Sequence, residues 1–188
     1  MSELGMIGVS LAVEASPFGR GTTRIYGLGS GGELVPTGLR VRRARNAIEA
    51  RRGRWRGPIA LRLEGVPNRR RHGEVTIANG SGHTIATVSG HPEHGPETLQ
   101  LRTEFSTLVA EFDENLRDGN PVLAIHKRAD RVGEFAMNAG REGALELQGA
   151  REVSFEVACG ICIDLFEFFT NWGARDALVD GVIETMTG

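Results

Sequence analysis

Short stretches in which apolar and polar residues alternate recur between residues 6 and 148, separated by Gly, Pro, Asn or charged residues. Such alternation is typical of β-strands that have one buried face. The clearest example is a hairpin in which Glu74–Asn79 and His83–Val88 flank the turn sequence Asn-Gly-Ser-Gly. Ten further strands are predicted at Met6–Val13, Thr23–Leu28, Leu39–Arg43, Ala47–Arg51, Ile59–Glu64, Thr98–Arg102, Leu108–Phe112, Val122–Lys127, Val132–Met137 and Leu145–Gln148.

These twelve strands predict a mainly β protein. No helix-length pattern separates one strand from the next, which argues against βαβ units and favours an antiparallel β-barrel or a sandwich. The 188 residues fit a single domain, 1–188, in which the strands occupy about 5–150. The 26 glycines suit a fold with many tight turns.

The pattern changes at residue 153, because Val153–Trp172 is apolar almost all round when it is drawn as a helix. A helix of this kind is either buried in protein or spans a membrane. Three carboxylates in the segment would cost roughly 2.5–3.5 kcal/mol each at a bilayer centre, which the apolar residues do not recover. Residues 152–172 therefore predict a buried helix that fills the β domain, without a transmembrane span. Its polar stripe consists of Glu156, Gly160, Asp164, Glu167 and Asn171.

The stripe places a condition on the surrounding barrel. A carboxylate that is buried without a partner is strongly destabilising, so we expect Glu156, Asp164 and Glu167 to reach water or to pair with inward-facing arginines. After a stop at Gly173, residues 174–186 predict a second, short amphipathic helix.

The segment Ala158–Phe169, ACGICIDLFEFF, resembles the closing segment of the phospholipid scramblases. That segment has a small residue, a cysteine, apolar residues, Ile-Asp-Phe and then aromatic residues. Scramblases belong to the tubby-like superfamily, together with tubby and the LURP-one-related proteins. In that superfamily a twelve-stranded barrel surrounds a buried C-terminal helix. The resemblance covers about a dozen residues, and the rest of the chain agrees in strand number and order.

The resemblance implies a lipid-facing function, since tubby domains bind phosphoinositide headgroups through basic side chains. Two departures limit what it implies. Scramblases have an Asp-rich segment before the helix that is implicated in calcium binding, whereas residues 138–154 contain no Asp, which argues against a calcium-triggered activity. The family also usually ends at the helix, whereas this chain continues to Gly188.

The formal net charge of −2 hides a strong asymmetry. Twelve arginines and two glutamates lie between Arg40 and His72, about +10, so the remainder carries about −12. Guanidinium groups bind phosphate bidentately, and dense positive charge concentrates anions. The alternative is a solvated face that the acidic remainder partly neutralises. The predicted anion-binding residues are Arg40, Arg42, Arg43, Arg45, Arg51, Arg52, Arg54, Trp55, Arg56, Arg69, Arg70 and Arg71.

Several other motifs favour structural over chemical roles. Cys159-x-x-Cys162 could be a redox or zinc motif with His91 and His94, but we interpret both cysteines as small hydrophobes on the buried helix. The GxGxxG sequence at 27–32 precedes a strand instead of a helix, so we interpret it as a turn. The histidines at 72, 83, 91 and 94 could bind metal in loops, although surface turns are their commoner place, and His126 is expected at a rim or in the core.

The leading hypothesis is a non-enzymatic protein that binds an anionic, phosphate-bearing partner without a cofactor or metal. By resemblance, the partner is an acidic phospholipid headgroup. A first alternative is a structural or assembly protein, such as a virion or phage-particle component, that contacts nucleic acid or forms a homo-oligomer. A second alternative is a β-barrel enzyme with His and carboxylates at one mouth.

The expected location is cytoplasmic, because two cysteines make no disulfide framework and Met1–Gly19 has no basic signal region. Under the leading hypothesis the protein would be peripheral at a membrane.

Overall fold

The computed structural model describes residues 6–14, 22–53, 56–65, 73–91, 95–117, 120–138, 142–148 and 153–171. Within these ranges the chain forms twelve β-strands and one α-helix. The elements are β1 (Met6–Glu14), β2 (Thr22–Leu28), β3 (Leu34–Arg43), β4 (Ala47–Arg52), β5 (Ile59–Glu64), β6 (Val75–Asn79), β7 (Thr84–His91), β8 (Gly95–Thr103), β9 (Thr107–Arg117), β10 (Asn120–Lys127), β11 (Asp130–Asn138), β12 (Glu142–Gln148) and α1 (Phe155–Asn171).

The strands form one closed antiparallel barrel. Each strand pairs with its neighbours in sequence, and β1 pairs with β12 to complete the ring. Closure gives every strand two partner strands. The predicted antiparallel barrel of twelve strands is confirmed, and the sandwich alternative is wrong.

Strand β3 begins earlier than predicted, at Leu34 instead of Leu39. Its first residues pair only with β2, through Leu34 with Leu28 and Pro36 with Tyr26, and pairing with β4 starts at Leu39. Proline has no N–H to donate and is tolerated where one side of a strand is unpaired. The β2–β3 hairpin therefore extends past the end of β4. The predicted helix at 174–186 lies outside the described residues.

The hairpin between β6 and β7 has the turn predicted for it. The side-chain Oδ1 of Asn79 accepts hydrogen bonds from the backbone N–H groups of Ser81 and His83, at 3.1 and 3.0 Å. Gly82 has a φ of 84°, which residues with a side chain rarely adopt. The turn chemistry read from the sequence is therefore confirmed.

Helix α1 lies inside the barrel. Ser154 caps its start, where the side-chain Oγ accepts a hydrogen bond from the N–H of Val157 at 3.2 Å. Every residue from Val157 to Glu167 is buried, and the apolar helix residues form one core with the inward side chains of the strands. The predicted buried helix is confirmed. No helix within the described ranges has the length and hydropathy needed to cross a bilayer.

The direction of α1 distinguishes the two ends of the barrel. The helix begins beside Gly27, near the β2–β3 turn, and its last turns reach the end of β3, where Arg43 contacts Glu167. We call the first of these the front end, which also holds the β4–β5, β6–β7, β8–β9 and β10–β11 turns. The opposite end, with the β3–β4 turn, is the back end.

Gly160 is the point of closest approach between α1 and the strands. A Cβ atom at this position would lie 2.5 Å from Cγ2 of Ile77, which is fully buried on β6. The polar stripe predicted for the helix therefore includes a residue whose role is to bring helix and sheet together.

We expect Gly160→Ala to destabilise the protein by about 1–3 kcal/mol in urea unfolding, because the methyl group overlaps the stiff side chain of Ile77. The gain in helix propensity, about 1 kcal/mol, only partly offsets this overlap. Glu156→Ala, on the exposed first turn of the same helix, is the control and should change stability by about 0.5 kcal/mol or less. Equal stability of the two variants would contradict the close contact.

Candidate anion-binding wall

Charge is separated across the barrel. The described residues of β2–β5 and their turns, 22–53 and 56–65, contain nine Arg and three Glu, a formal charge of +6. Those of β8–β12, 95–117, 120–138 and 142–148, contain five Arg or Lys and nine Asp or Glu, a formal charge of −4. Strands β3 and β9 stand six apart in the ring of twelve, so they lie on opposite sides. We call these two faces the basic wall and the acidic wall.

Three arginines form a row across the basic wall. Arg40 on β3 is the direct partner of Arg24 on β2 and of Arg51 on β4. Their side chains face outward, because the adjacent Val41 packs against the core and side chains alternate along a strand. Direct partners in a sheet have Cβ atoms about 4.5–5.5 Å apart, so three guanidinium groups share a small area.

The two outer members of this row are neutralised by carboxylates. Nε of Arg24 lies 2.6 Å from Oε2 of Glu14, which also accepts a hydrogen bond from the hydroxyl of Tyr26 through its other oxygen. Arg51 donates from Nε and Nη2 to Oε2 of Glu49, each at 2.8 Å. Arg51 also donates from Nη1 to the carbonyl of Gly57, at 2.9 Å. Both charges are therefore paired, and hydrogen bonds also hold the side chain of Arg51 in place.

Arg40, at the centre of the row, is different. It is half-buried between its two neighbours, and in the described part of the chain no carboxylate lies within 4 Å of its guanidinium group. The positive charge of Arg40 is thus fixed by its surroundings and is available to a ligand from outside.

A second row, one step along the same strands, alternates in charge. Glu49 stands between Arg42 and Arg62 in the sheet and is buried beneath the arginine side chains. Arg62 contacts Glu49 at 3.9 Å and Glu64 at 2.8 Å. This row therefore stabilises the wall and offers less charge to a ligand than the row that contains Arg40.

The remaining predicted arginines do not gather into one patch. Arg45 is exposed at the back end, in the β3–β4 turn, while Arg52 and Arg56 are exposed at the front end, around the β4–β5 turn. The cluster is continuous in sequence but runs along the whole length of the barrel. Five predicted residues lie outside the described residues: Arg54, Trp55, Arg69, Arg70 and Arg71.

Arg43 lies on the inner face of the sheet at the back end, where its side chain is 59% exposed and reaches the helix. It is the strand partner of Ile48, a core residue, and its Nη2 lies 2.8 Å from Oε2 of Glu167. Burial raises the pKa of Glu167, while Arg43 lowers it and the neighbouring Asp164 raises it further. The expectation that an inward-facing arginine would pair with the stripe is confirmed at Glu167.

The other residues of the polar stripe lie in different environments. Glu156 is exposed at the front end, Gly160 packs against a strand, and Asp164 is fully buried. The expectation that a carboxylate reaches water or pairs with an arginine is therefore confirmed at Glu156, which is exposed, and at Glu167, which pairs with Arg43. Because Asp164 and Glu167 are enclosed in the core, they do not form an accessible acid–base pair.

The two cysteines pack as the sequence interpretation proposed. Cys159 and Cys162 are 1% and 0% exposed, and burial raises the pKa of Cys159 to about 12. Sγ of Cys162 lies 3.7 Å from the carbonyl oxygen of Val9. Such thiols stay protonated at neutral pH, which makes them poor nucleophiles and poor metal ligands.

The other sequence motifs give turns and surface pairs. The GxGxxG sequence forms the β2–β3 turn, in which Gly29 donates to the carbonyl of Glu33 at 2.9 Å. His83 is exposed beside a turn, and Nε2 of His126 lies 3.3 Å from Oε1 of Glu111. In the described ranges no three His, Cys, Asp or Glu residues are grouped so that they could hold a metal ion. His72 and His94 lie outside those ranges, as does the side chain of His91.

Comparison with known proteins gives no family. No protein-family model matches the chain, and no curated protein matches it significantly.

Sequence reasoning missed Arg24 and Glu14, which complete the arginine row and one of its ion pairs. They lie outside the dense Arg40–Arg71 region and are joined to it only by the pairing of β2 with β3. Alternation in the sequence indicates that Arg24 and Arg40 both face outward. It does not show that they are direct partners, because it does not give the register between strands.

We expect Arg43→Met to lower the free energy of unfolding by about 1–2 kcal/mol at pH 7, because Glu167 loses its charge partner. The pKa of Glu167 is raised in the folded state, so its protonated form favours folding. That contribution is complete below the unfolded pKa, near 4.5, and is lost as the pH rises through the folded pKa. The loss caused by Arg43→Met should therefore shrink on acidification, as measured by urea unfolding at several pH values.

The double variant Arg43→Met/Glu167→Gln is the control, since neither residue can then carry a charge. Its stability should not follow the pH dependence of Arg43→Met. A loss for Arg43→Met that is the same at all pH values would assign the role of Arg43 to packing and contradict the charge pairing.

Proposed function

We propose that this is a non-enzymatic binding protein whose basic wall binds an anionic, phosphate-bearing partner. The observation that carries the proposal is the position of Arg40. It lies between two arginines that are already neutralised by Glu14 and Glu49, and it has no carboxylate of its own in the described part of the chain.

Arg40 has an arginine as its direct partner on each neighbouring strand, and both of those arginines pair with carboxylates, so the uncompensated positive charge of the row is that of Arg40. A bound phosphate would neutralise this charge, and the planar guanidinium group matches two phosphate oxygens. Because the acidic residues lie on the opposite wall, the positive potential is directed outward from β2–β5.

The phosphate-bearing partner that we propose is an acidic phospholipid headgroup. The resemblance of Ala158–Phe169 to the tubby-like proteins supports this choice, since tubby domains bind phosphoinositides through basic side chains. A membrane leaflet rich in anionic lipids also suits a basic wall that is extended along the barrel. The protein would then be peripheral, at the cytoplasmic face of a membrane.

We expect Arg40→Glu to weaken binding to phosphoinositide-containing vesicles by about tenfold or more, because each basic residue near an anionic surface contributes about 1 kcal/mol and the substitution reverses the charge. The matched control is Arg102→Glu, which makes the same charge change at an exposed position of the acidic wall. Vesicle co-sedimentation should show near-normal binding for this control.

Two outcomes would contradict the proposal. Equal binding of the unsubstituted protein to neutral phosphatidylcholine vesicles and to phosphoinositide-containing vesicles would exclude the acidic headgroup. An equal loss for Arg40→Glu and Arg102→Glu would show that overall charge, and not the basic wall, governs binding.

A second candidate is a structural or assembly protein, which the separation of charge across the barrel favours. Oppositely charged walls on one molecule suit head-to-tail association, in which the basic wall of one copy meets the acidic wall of the next. Light scattering at low and high salt separates the candidates. A monomer at low salt contradicts assembly, and an oligomer that dissociates with salt supports it.

A further inference from the structure

In the part of the chain that the structure describes, large apolar side chains are exposed at one end of the barrel only. Among the described residues five such side chains are exposed, and all five lie at the front end. Four of them stand at the starts of β1, β3 and α1, and we call them the apolar lip: Met6 (43% exposed), Leu34 (53%), Val35 (47%) and Phe155 (43%). The fifth, Phe105, is 70% exposed in the β8–β9 turn, across the barrel from β3.

The members of the apolar lip are neighbours in space. Val35 is the strand partner of Gly27, and a Cβ atom at Gly27 would lie 3.7 Å from the ring of Phe155. Leu34 pairs with Leu28, which in turn packs over Gly8 on β1, two residues from Met6. Side chains alternate along a strand, so Leu34 and Met6 lie on the outer face of the sheet, whereas Val35 and Phe155 lie on its inner face. The tip of the β2–β3 hairpin thus exposes apolar side chains on both faces, as is typical of a site where another surface docks.

The part of the apolar lip that lies on β3 projects beyond the neighbouring strand β4. Residues 34–36 of β3 pair only with β2, because contact with the β4 side begins where Gly38 accepts the N–H of Gly53, at 2.9 Å, and Leu39 meets Arg52. The β2–β3 hairpin thus projects beyond the end of β4 and carries Leu34 and Val35 at its tip.

Arginines surround the base of this projection. Arg40 lies further along β3, and the exposed Arg52 and Arg56 flank the adjacent turn. Four to six residues of strand separate the tip from this level, about 13–20 Å at 3.3 Å per residue. Strand tilts of about 35–45° reduce that to roughly 10–15 Å along the barrel axis. Interfacial elements bury their apolar face by about 5–10 Å, so the tip can reach that depth while the arginines stay at the level of the headgroups.

We propose that the apolar lip inserts into the interfacial region of an anionic bilayer while the arginines at its base contact the headgroup phosphates. This inference rests on the proposed lipid-binding function and adds the orientation, with the front end toward the membrane on the β3 side. Glu33 and Glu156 border the lip and limit its depth. Glu33 is turned back into its own hairpin, where a carboxylate oxygen accepts the N–H of Gly31 at 2.9 Å.

Insertion is tested with an environment-sensitive fluorophore on an introduced cysteine. The native cysteines are buried, so labelling is directed to Leu34→Cys or, as the control, to Asn46→Cys at the exposed back end. On addition of phosphoinositide-containing vesicles, the fluorescence of the Leu34→Cys label should rise and shift to the blue. The label at position 46 should not change. Equal responses at the two positions would overturn the proposed orientation.

Binding by variants gives the second measurement. Leu34→Glu/Val35→Glu should bind these vesicles about tenfold to a hundredfold more weakly, because two apolar side chains lose their burial and two carboxylates meet anionic lipid. Phe105→Glu, on the opposite side of the front end, should bind normally. Both substituted sites are exposed, and an unchanged urea midpoint checks that the variants are folded.

The outcomes separate this inference from the proposed function. If the unsubstituted protein binds acidic vesicles and the double variant binds equally well, the inserted lip is wrong and the basic wall alone binds lipid. If the unsubstituted protein does not bind acidic vesicles at all, the proposed function itself fails. If the position-34 label responds to protein concentration without vesicles, a second copy of the chain covers the lip, and membrane insertion is overturned.

Discussion

The requirement that the interior of the barrel be filled governs the rest of this structure. Eight strands close around a space that side chains alone can fill, whereas twelve strands enclose a wider one, and α1 occupies it. A helix surrounded by strands on all sides must be apolar all round, which explains the unusual composition of Val157–Phe169. The carboxylate of Glu167 near the back end then requires a cation from the wall, and Arg43 supplies it.

Because the barrel is closed, the order of charged segments along the chain determines where charge lies around the barrel. Strands that follow one another in sequence are neighbours in the ring, so an arginine-rich quarter of the chain becomes one wall and the acidic C-terminal strands become the opposite one. The formal net charge of −2 therefore describes neither face. An anionic ligand would respond to the local charge. That charge is carried by Arg40, which lies between two arginines that Glu14 and Glu49 already neutralise.

The sequence predicted those features that depend on local pattern. Alternation located all twelve strands, the all-round apolar segment located α1, and the cost of burying a carboxylate predicted an arginine partner such as that of Glu167. The register between strands was beyond such reasoning, because it depends on pairings between segments that are separated along the chain. For that reason the row of Arg24, Arg40 and Arg51 was not predicted. The one-sided pairing of residues 34–36 was missed as well, since Pro36 and the preceding glycines indicate only a turn.

Strand β3 connects the three parts of the molecule to which a function can be assigned. Its tip carries Leu34 and Val35, its middle presents Arg40 outward, and its end turns Arg43 inward to the helix. Arg40 and Arg43 are three residues apart, so alternation places them on opposite faces of the sheet, and a slip of one residue would exchange them. Leu39 and Val41 oppose such a slip because both pack against the core. The packing that holds α1 in the barrel therefore also determines which arginine faces a ligand.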